Sequence, residues 1–397
     1  MKDRKFLEGI IVGMVLVIAI NMLIHFAVPA IVRTPMAGRG FDSASAQKLN
    51  MIYNIIDAHF VDHFDVEDLE RGMFMGLMYG LGDPYAAYLC VEEHEQFLER
   101  TSGVFAGIGA VVTGTEDGRV MIVSPFDGSP AAEAGIMAQD IVMAVDGTDT
   151  KNIGVDLVVA MLRGTPGTDV TITIFRGSED RTFDVTVTRA FITVQTVSSR
   201  MLEDNIGYIR LSGFEQVTYD QFRDALKELQ EEGAQGFIID VRNNPGGLLD
   251  IVADIANLLV PEGIIVYTED RYGNQSFLRS DADYLGLPIV MLVNGNSASA
   301  SEVLAGAVMD HGVGVLVGEQ TFGKATVQRI FGLPDGSAVK LTIARYFTPN
   351  GTGIHGHGIA PHHIVEMEST YTARIAALDI SEDVQLLKAV EVMSTLR

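Results

Sequence analysis

Cysteine occurs once in this chain of 397 residues, at Cys90. One thiol excludes an internal disulfide and a cysteine-ligated metal cluster, and the residue is expected as a small, buried apolar side chain. Basic residues are scarce too: 28 lysines and arginines face 52 acids, a net charge of −24. So acidic a chain repels phosphate backbones rather than displacing counterions from them, which excludes nucleic acid as a partner. Apolar residues are plentiful. At 47% of the chain they exclude a mostly disordered protein, and the length accommodates two or three domains with cores of their own.

The amino-terminus carries a membrane signal. Lys2, Arg4 and Lys5 precede residues 9–32, a run without a charged side chain that is long enough to cross a hydrocarbon core of ~30 Å. Basic residues before the span and an acidic body after it predict a single-pass anchor with the bulk of the chain outside the cytoplasm. A cleavable signal peptide is the competing reading; its apolar stretch would be shorter, and Val28-Pro-Ala30 makes a poor cleavage sequence. Residues 1–45 are therefore read as anchor and linker.

Residues 46–99 predict helices, with Leu49, Ile52, Ile55 and Ile56, then Leu69, Met73, Leu77 and Leu81, at helical spacing. Residues 100–192 alternate short apolar strands with Gly, Asp and Pro turns and hold one helix over residues 155–162. Residues 193–368 alternate strand and helix, an α/β pattern, with strands at 206–211, 236–241, 264–267 and 288–293. Residues 369–397 end in a helix with Val384, Leu387 and Val390 to Val392 on its apolar face. The fold class expected is mixed α/β and α+β, in several domains.

Chemistry concentrates between residues 293 and 328. An apolar strand breaks at Asn294-Gly-Asn296, runs through Ser297-Ala-Ser-Ala-Ser301 and enters a helical pattern. A serine at a strand-to-helix turn has small neighbours, so a substrate backbone can approach, and the helix start offers free N–H groups for an oxyanion. Thr321-Phe-Gly-Lys324 sets one lysine among apolar and glycine residues, where desolvation favours the neutral, basic amine. Helix capping is the ordinary job of such serines and remains the alternative. In the same way the two glycines of Asp240-Val-Arg-Asn-Asn-Pro-Gly-Gly247 suit either a tight turn or close backbone approach to a ligand.

Ser-Ala-Ser-Ala-Ser-Glu302 followed by Thr321-Phe-Gly-Lys-Ala-Thr-Val-Gln328 resembles the carboxyl-terminal processing proteases, tail-specific serine peptidases with a Ser/Lys dyad. The family's lysine follows its nucleophile by 25 positions, which selects Ser299 as nucleophile and Lys324 as base. The assisting glutamine, one helical turn beyond the lysine, falls on Gln328. The resemblance assigns the oxyanion N–H groups to Gly246, with Gly247 second, and to Ala300. It implies a crotonase-like α/β protease core, and no cofactor or metal.

Phe105-Ala-Gly-Ile-Gly109, Ser129-Pro-Ala-Ala-Glu-Ala-Gly135, Asp140 and Val145-Asp-Gly147 resemble, in that order, a PDZ domain of the bacterial protease type. By that analogy Gly107, Ile108 and Gly109 bind a peptide with an apolar C-terminus, in a groove beside the helix 155–162. Arg163 at the end of that helix is the candidate link to the catalytic site, though an arginine is favourable at a helix C-terminus in any case. Leu81-Gly-Asp-Pro-Tyr85 resembles the family's segment before the PDZ domain, whose helices support dimerisation, so a homodimer is expected. Gating by PDZ docking adds an activator or adaptor protein to the expected partners. Two other readings compete. Asp310-His311 could serve Ser299 as a charge pair, but lies about 18 Å along the same helix. A membrane-tethered PDZ scaffold with an inactive core is the non-enzymatic alternative, and the intact Ser299, Lys324 and Gln328 argue against it. His355, His357, His362 and His363 lack the spacing of a zinc site and are read as a solvated loop.

Overall fold

The computed structural model describes residues 42–397, so the apolar run at 9–32 lies outside the described residues. No helix among the described residues is long and apolar enough to cross a membrane. Of the described residues, those up to Glu70 fall in one unit and those from Arg71 onward in another. In the first, Asp42 caps the helix Ser43–His59, accepting from the Ser45 N–H. That helix buries no residue and leaves Leu49, Ile52 and Ile55 exposed.

The second unit starts within the helix Val66–Tyr79. The helix Val91–Ser102 follows the short strand Ala87–Leu89 and begins at Cys90. Cys90 is half-buried rather than fully buried as expected, because it occupies the N-cap, where its own N–H donates to Glu93 Oε2. Five strands of the β-rich region pair in the order 110–114, 120–125, 141–145, 169–176 and 181–188, with Thr148–Asp149 on the side. Their inward residues Val120, Ile122, Val142, Val145, Val170, Ile172 and Ile174 meet Val158 and Leu162 of the helix Val155–Leu162 in one core. Strand 110–114 pairs on one side only, so its other edge, beside this helix, is open.

The α/β region is built on a six-stranded sheet in which Ile206–Leu211, Gly236–Asp240, Ile289–Val293 and Gly314–Gly318 run parallel. The two middle strands are buried throughout, as their continuous apolar runs require. Helices Thr218–Glu231, Leu249–Leu259 and Ala300–Asp310 cover one face. Helix Val384–Leu396 covers the other through Leu386, Ala389 and Met393, so Val384 and Leu387, expected on its apolar face, point outward instead.

One strand departs from the expected order. Residues 263–270 belong to a second, antiparallel sheet, paired with Gln275–Ser280 and Ala338–Phe347. Its mostly half-buried pattern suits a sheet with one wet face better than a parallel core. Gln328 likewise lies on a strand, Thr326–Gly332, and not one helical turn beyond Lys324. Val327, Ile330 and Phe331 give that stretch the β-branched and aromatic content of a strand.

Candidate active site

Strands Gly236–Asp240 and Ile289–Val293 are neighbours and parallel, so the loops after them emerge side by side at the carboxyl edge of the sheet. Two hydroxyls from the serine run join these loops. Ser297 Oγ donates to the Val241 carbonyl at 2.8 Å, and Ser301 Oγ donates to the Asn244 carbonyl at 2.9 Å. Both serines are fully buried. Ser299, between them, turns the other way into a cavity of about 280 Å³ that Lys324 and Gln328 also line. Alternation along the run thus separates two structural hydroxyls from one reactive candidate.

Ser299 has φ 56° and ψ −114°, a left-handed half of conformational space that a residue with a Cβ rarely enters. It stands at the start of the helix Ala300–Asp310, where the N–H of Ala300 donates to no described group. Among the two glycines of the neighbouring turn, Gly246 has its N–H committed to Asn244 Oδ1 at 2.9 Å. Gly247 lines the cavity and its N–H has no described acceptor. The order preferred from sequence is therefore reversed as regards free donors. Gly246 serves close approach instead: a Cβ there would fall 2.8 Å from Ser299 Cβ and 2.8 Å from the Ala298 carbonyl oxygen.

A residue without an assigned role in the sequence fixes this turn to the lysine loop. Glu302 is fully buried, and its carboxylate accepts from the Ser299 N–H at 2.9 Å and the Thr321 hydroxyl at 2.6 Å. It also accepts from the Gly323 N–H at 2.7 Å and the Lys324 N–H at 2.9 Å. Four donors satisfy a charge that could not otherwise be buried. Tyr346 adds a second tie, its hydroxyl lying 3.0 Å from the Ser299 carbonyl oxygen and 2.7 Å from that of Lys324. Burial pushes this phenol well above its ordinary pKa, so it stays a donor. The available signal for Glu302 was an acid inside an apolar helix; Tyr346 had no local signal.

The backbone of Lys324 is held on both sides, but its ammonium is not bonded to Ser299. Nζ sits 4.5 Å from the centre of the Tyr85 ring. Desolvation, and then the like charge of Lys340, lower its pKa, while Asp83 and Glu302 oppose the shift. Gln328 Nε2 donates to Thr326 Oγ1 at 2.9 Å and Thr342 Oγ1 at 3.4 Å, not to the lysine. The structure brings the three side chains to one cavity with the dyad open. His311, the competing base, points away and meets the Ile264 carbonyl at 2.8 Å. Of the four late histidines, His362 accepts from the Leu316 N–H.

Beneath the site lies Arg242, fully buried, forked onto Asp240 at 2.6 and 3.0 Å and onto Asp383 at 2.8 Å twice. Burial would raise the Asp240 pKa, but Arg242 and Arg210 outweigh it and hold the acid below its ordinary value. This cluster roots the turn that carries Gly246 and Gly247.

A second groove, of about 100 Å³, lies where the PDZ reading expects one, lined by Gly107, Ile108 and Gly109 and by Val159 and Leu162. Ile108 and Gly109 have N–H groups without a described acceptor. Arg163, at its mouth, does not reach Lys324 or Gln328. It pairs with Glu99 on the helix Val91–Ser102 and stacks on Phe105 at 5.4 Å. Phe97 and Thr101 of that same helix line the catalytic cavity, so any link from Arg163 to the site is indirect.

Comparison with known proteins gives the family. The profile of Peptidase family S41 matches residues 205–365, and that of a PDZ domain matches residues 106–187. A carboxyl-terminal-processing protease of Synechocystis sp. is 38% identical over 320 residues, which cover 79% of this chain and 74% of that one. The carboxy-terminal processing protease CtpA of Bacillus subtilis is 37% identical over 334 residues, covering 84% and 71%. Among solved structures, a putative S41 protease from Bacteroides fragilis shares the fold, with a TM-score of 0.51 at 18% identity over 80% of this chain and 88% of that one. The chain belongs to the carboxyl-terminal processing proteases of peptidase family S41, serine peptidases that carry a PDZ domain.

Proposed function

We propose that this S41 serine peptidase cleaves proteins by acyl transfer from Ser299 with Lys324 as the base, after its PDZ domain has taken up an apolar substrate tail. The observation that carries the reading is the sorting of the three serines: Ser297 and Ser301 staple loops, and Ser299 alone shares a cavity with a lysine of lowered pKa. Neutral Lys324 swings from the Tyr85 ring toward Ser299 and takes the hydroxyl proton as Oγ bonds to the scissile carbonyl carbon. The oxyanion that forms is met by the N–H groups of Ala300 and Gly247, with Gly246 shaping the approach. Collapse breaks the C–N bond, and the Lys324 ammonium returns its proton to the leaving amine. Water then attacks the acyl-serine with Lys324 again as base, freeing Ser299 and a new carboxylic acid. Gln328 orients the lysine once Nζ has left Tyr85. Phe97, Leu248, Val303 and Ile330 line the cavity and suit an apolar residue at the cut.

Tail recognition proceeds by strand addition to the open edge at Ala110–Gly114, with the terminal carboxylate on the Ile108 and Gly109 N–H groups. A carboxylate there competes with Glu99 for Arg163, which makes the helix Val91–Ser102 the route to the cavity and gives an activator or adaptor protein a place to act. The uncovered apolar residues Leu49, Ile52 and Ile55 support a homodimer. The uncharged run at 9–32 behind a basic start supports a single membrane anchor, with the catalytic part outside the cytoplasm.

The test is digestion of an unstructured protein with an apolar C-terminus by the full chain, Ser299→Ala and Lys324→Ala. Cleavage by wild type alone is expected, with tail binding retained by all three. Equal cleavage by Lys324→Ala would remove the lysine from the mechanism.

A further inference from the structure

On the face of the parallel sheet that packs the C-terminal helix, a cavity of about 450 Å³ opens between strands Val197–Leu202 and Ile206–Leu211 and residues 375–383. It shares no lining residue with the catalytic cavity. The two strands are antiparallel, with Ser198 opposite Arg210 and Arg200 opposite Tyr208. Positions 198, 200, 208 and 210 therefore project from one face of the sheet, and all four line the cavity.

Neither arginine makes a hydrogen bond to a described acceptor. Arg200 stacks on the Tyr208 ring at 5.0 Å, and Asp379 feels its charge without closing an ion pair. Arg210 is only 13% exposed, and one of its terminal nitrogens is buried without a hydrogen bond, 3.6 Å from Asp240 Oδ2. The acids nearby are already filled. Asp240 takes the Tyr208 hydroxyl at 2.7 Å and the fork of Arg242, and Asp383 takes Arg242 and the Leu386 N–H. Two guanidiniums line one cavity, and the oxygens of Asp240 and Asp383 are already engaged, which leaves donors of both arginines to a ligand.

The geometry points to an oxyanion site: a small carboxylate or phosphate bound between Arg200 and Arg210, with the Ser198 hydroxyl as a further donor. Guanidinium forks match the two coplanar oxygens of a carboxylate or phosphate. The volume falls within the range of ordinary small-molecule pockets, roughly 300–1,000 Å³. Asp383 lines the cavity and pairs with Arg242, whose other partner Asp240 precedes the Gly246–Gly247 turn, so the site borders the catalytic machinery without belonging to it.

Titration calorimetry of the full chain tests this with inorganic phosphate, N-acetylalanine and N-acetylalanine amide as probes. Saturable binding of phosphate or N-acetylalanine, none of the amide, and an affinity about tenfold weaker or worse in Arg200→Gln are expected. Arg200 is exposed, so its replacement leaves folding intact; Arg210→Lys is the second variant, keeping the charge and losing the fork. Thermal midpoints should rise with the concentration of the anion that binds, and less so in both variants. Phosphate alone giving heat would identify the ligand as phosphate, N-acetylalanine alone as a carboxylate. No binding of either anion, equal binding of the amide, or undiminished binding by Arg200→Gln would overturn the proposal.

Discussion

The PDZ groove and the catalytic cavity are built in opposite ways. The groove comes from two short stretches, residues 105–112 and 159–163, and the one ion pair at its mouth, Arg163 with Glu99, has both side chains 39% exposed. The cavity draws on Phe97, the Pro245 turn, Ser299, Lys324 and Tyr346, and is fixed from behind by Glu302 and the Arg242 cluster, all fully buried or nearly so. A solvent-screened pair contributes about 0–1 kcal/mol and exchanges readily. Breaking a buried one costs about 3–5 kcal/mol, because a charge is left without a partner. The groove thus has at its mouth a contact that solvent or another anion can replace, and the cavity is held by contacts that nothing replaces.

Substitutions should rank along that contrast. The largest effect is expected at the dyad: Lys324→Ala should lower kcat/KM by about 10³-fold or more with an unchanged fold by circular dichroism. Next, Arg242→Met leaves Asp383 buried without an ion-pair partner and Asp240 with only the longer contact to Arg210, and should lose about 3–5 kcal/mol in urea unfolding; unaltered stability would mean that this cluster does not hold the turn. Glu302→Gln keeps the shape but turns an amide NH₂ toward backbone N–H groups. We expect a loss of about 1–3 kcal/mol together with a fall in kcat that exceeds any change in KM.

Smaller effects sharpen the comparison. Lys340 carries a like charge that depresses the Lys324 pKa after desolvation has done so. Activity should therefore rise with pH as Lys324 loses its proton, and Lys340→Gln should move that rise to higher pH. The stability sign follows from the same shift. With the folded pKa below the unfolded one, the unfolded chain binds more protons between the two values, so stability increases with pH across that window. The smallest change is expected at the groove, where Arg163→Ala should alter unfolding by about 0–1 kcal/mol yet weaken the dependence of cleavage on the substrate tail.

The same contrast explains what was legible in the sequence. Gly107, Ile108 and Gly109 are contiguous, and so are Ser297 to Ser301; local patterns of turn glycines and small residues carry their meaning within a few positions. Strand Ile206–Leu211 and helix Leu249–Leu259 were visible for the same reason, through period and composition. Glu302 was in plain view, but its partners Thr321, Gly323 and Lys324 lie 19 to 22 residues on. Asp383 meets Arg242 across 141 residues, and no periodicity reports such a contact. Gln328 was placed by the family resemblance, one helical turn beyond the lysine, on what is a strand, and the strand read at 264–267 was placed by alternation in a sheet it does not join. At 264–267 the local pattern was read correctly as an apolar strand, and tertiary pairing decided which sheet it served.

The central claim is that Lys324, uncharged, activates Ser299, and the most direct test is the rate at which a fluorophosphonate modifies Ser299, followed by intact mass across pH. The rate should climb through the lowered pKa of Lys324 and nearly vanish in Lys324→Ala. Labelling of Ser299 that is flat with pH, or as fast without the lysine as with it, would contradict the account.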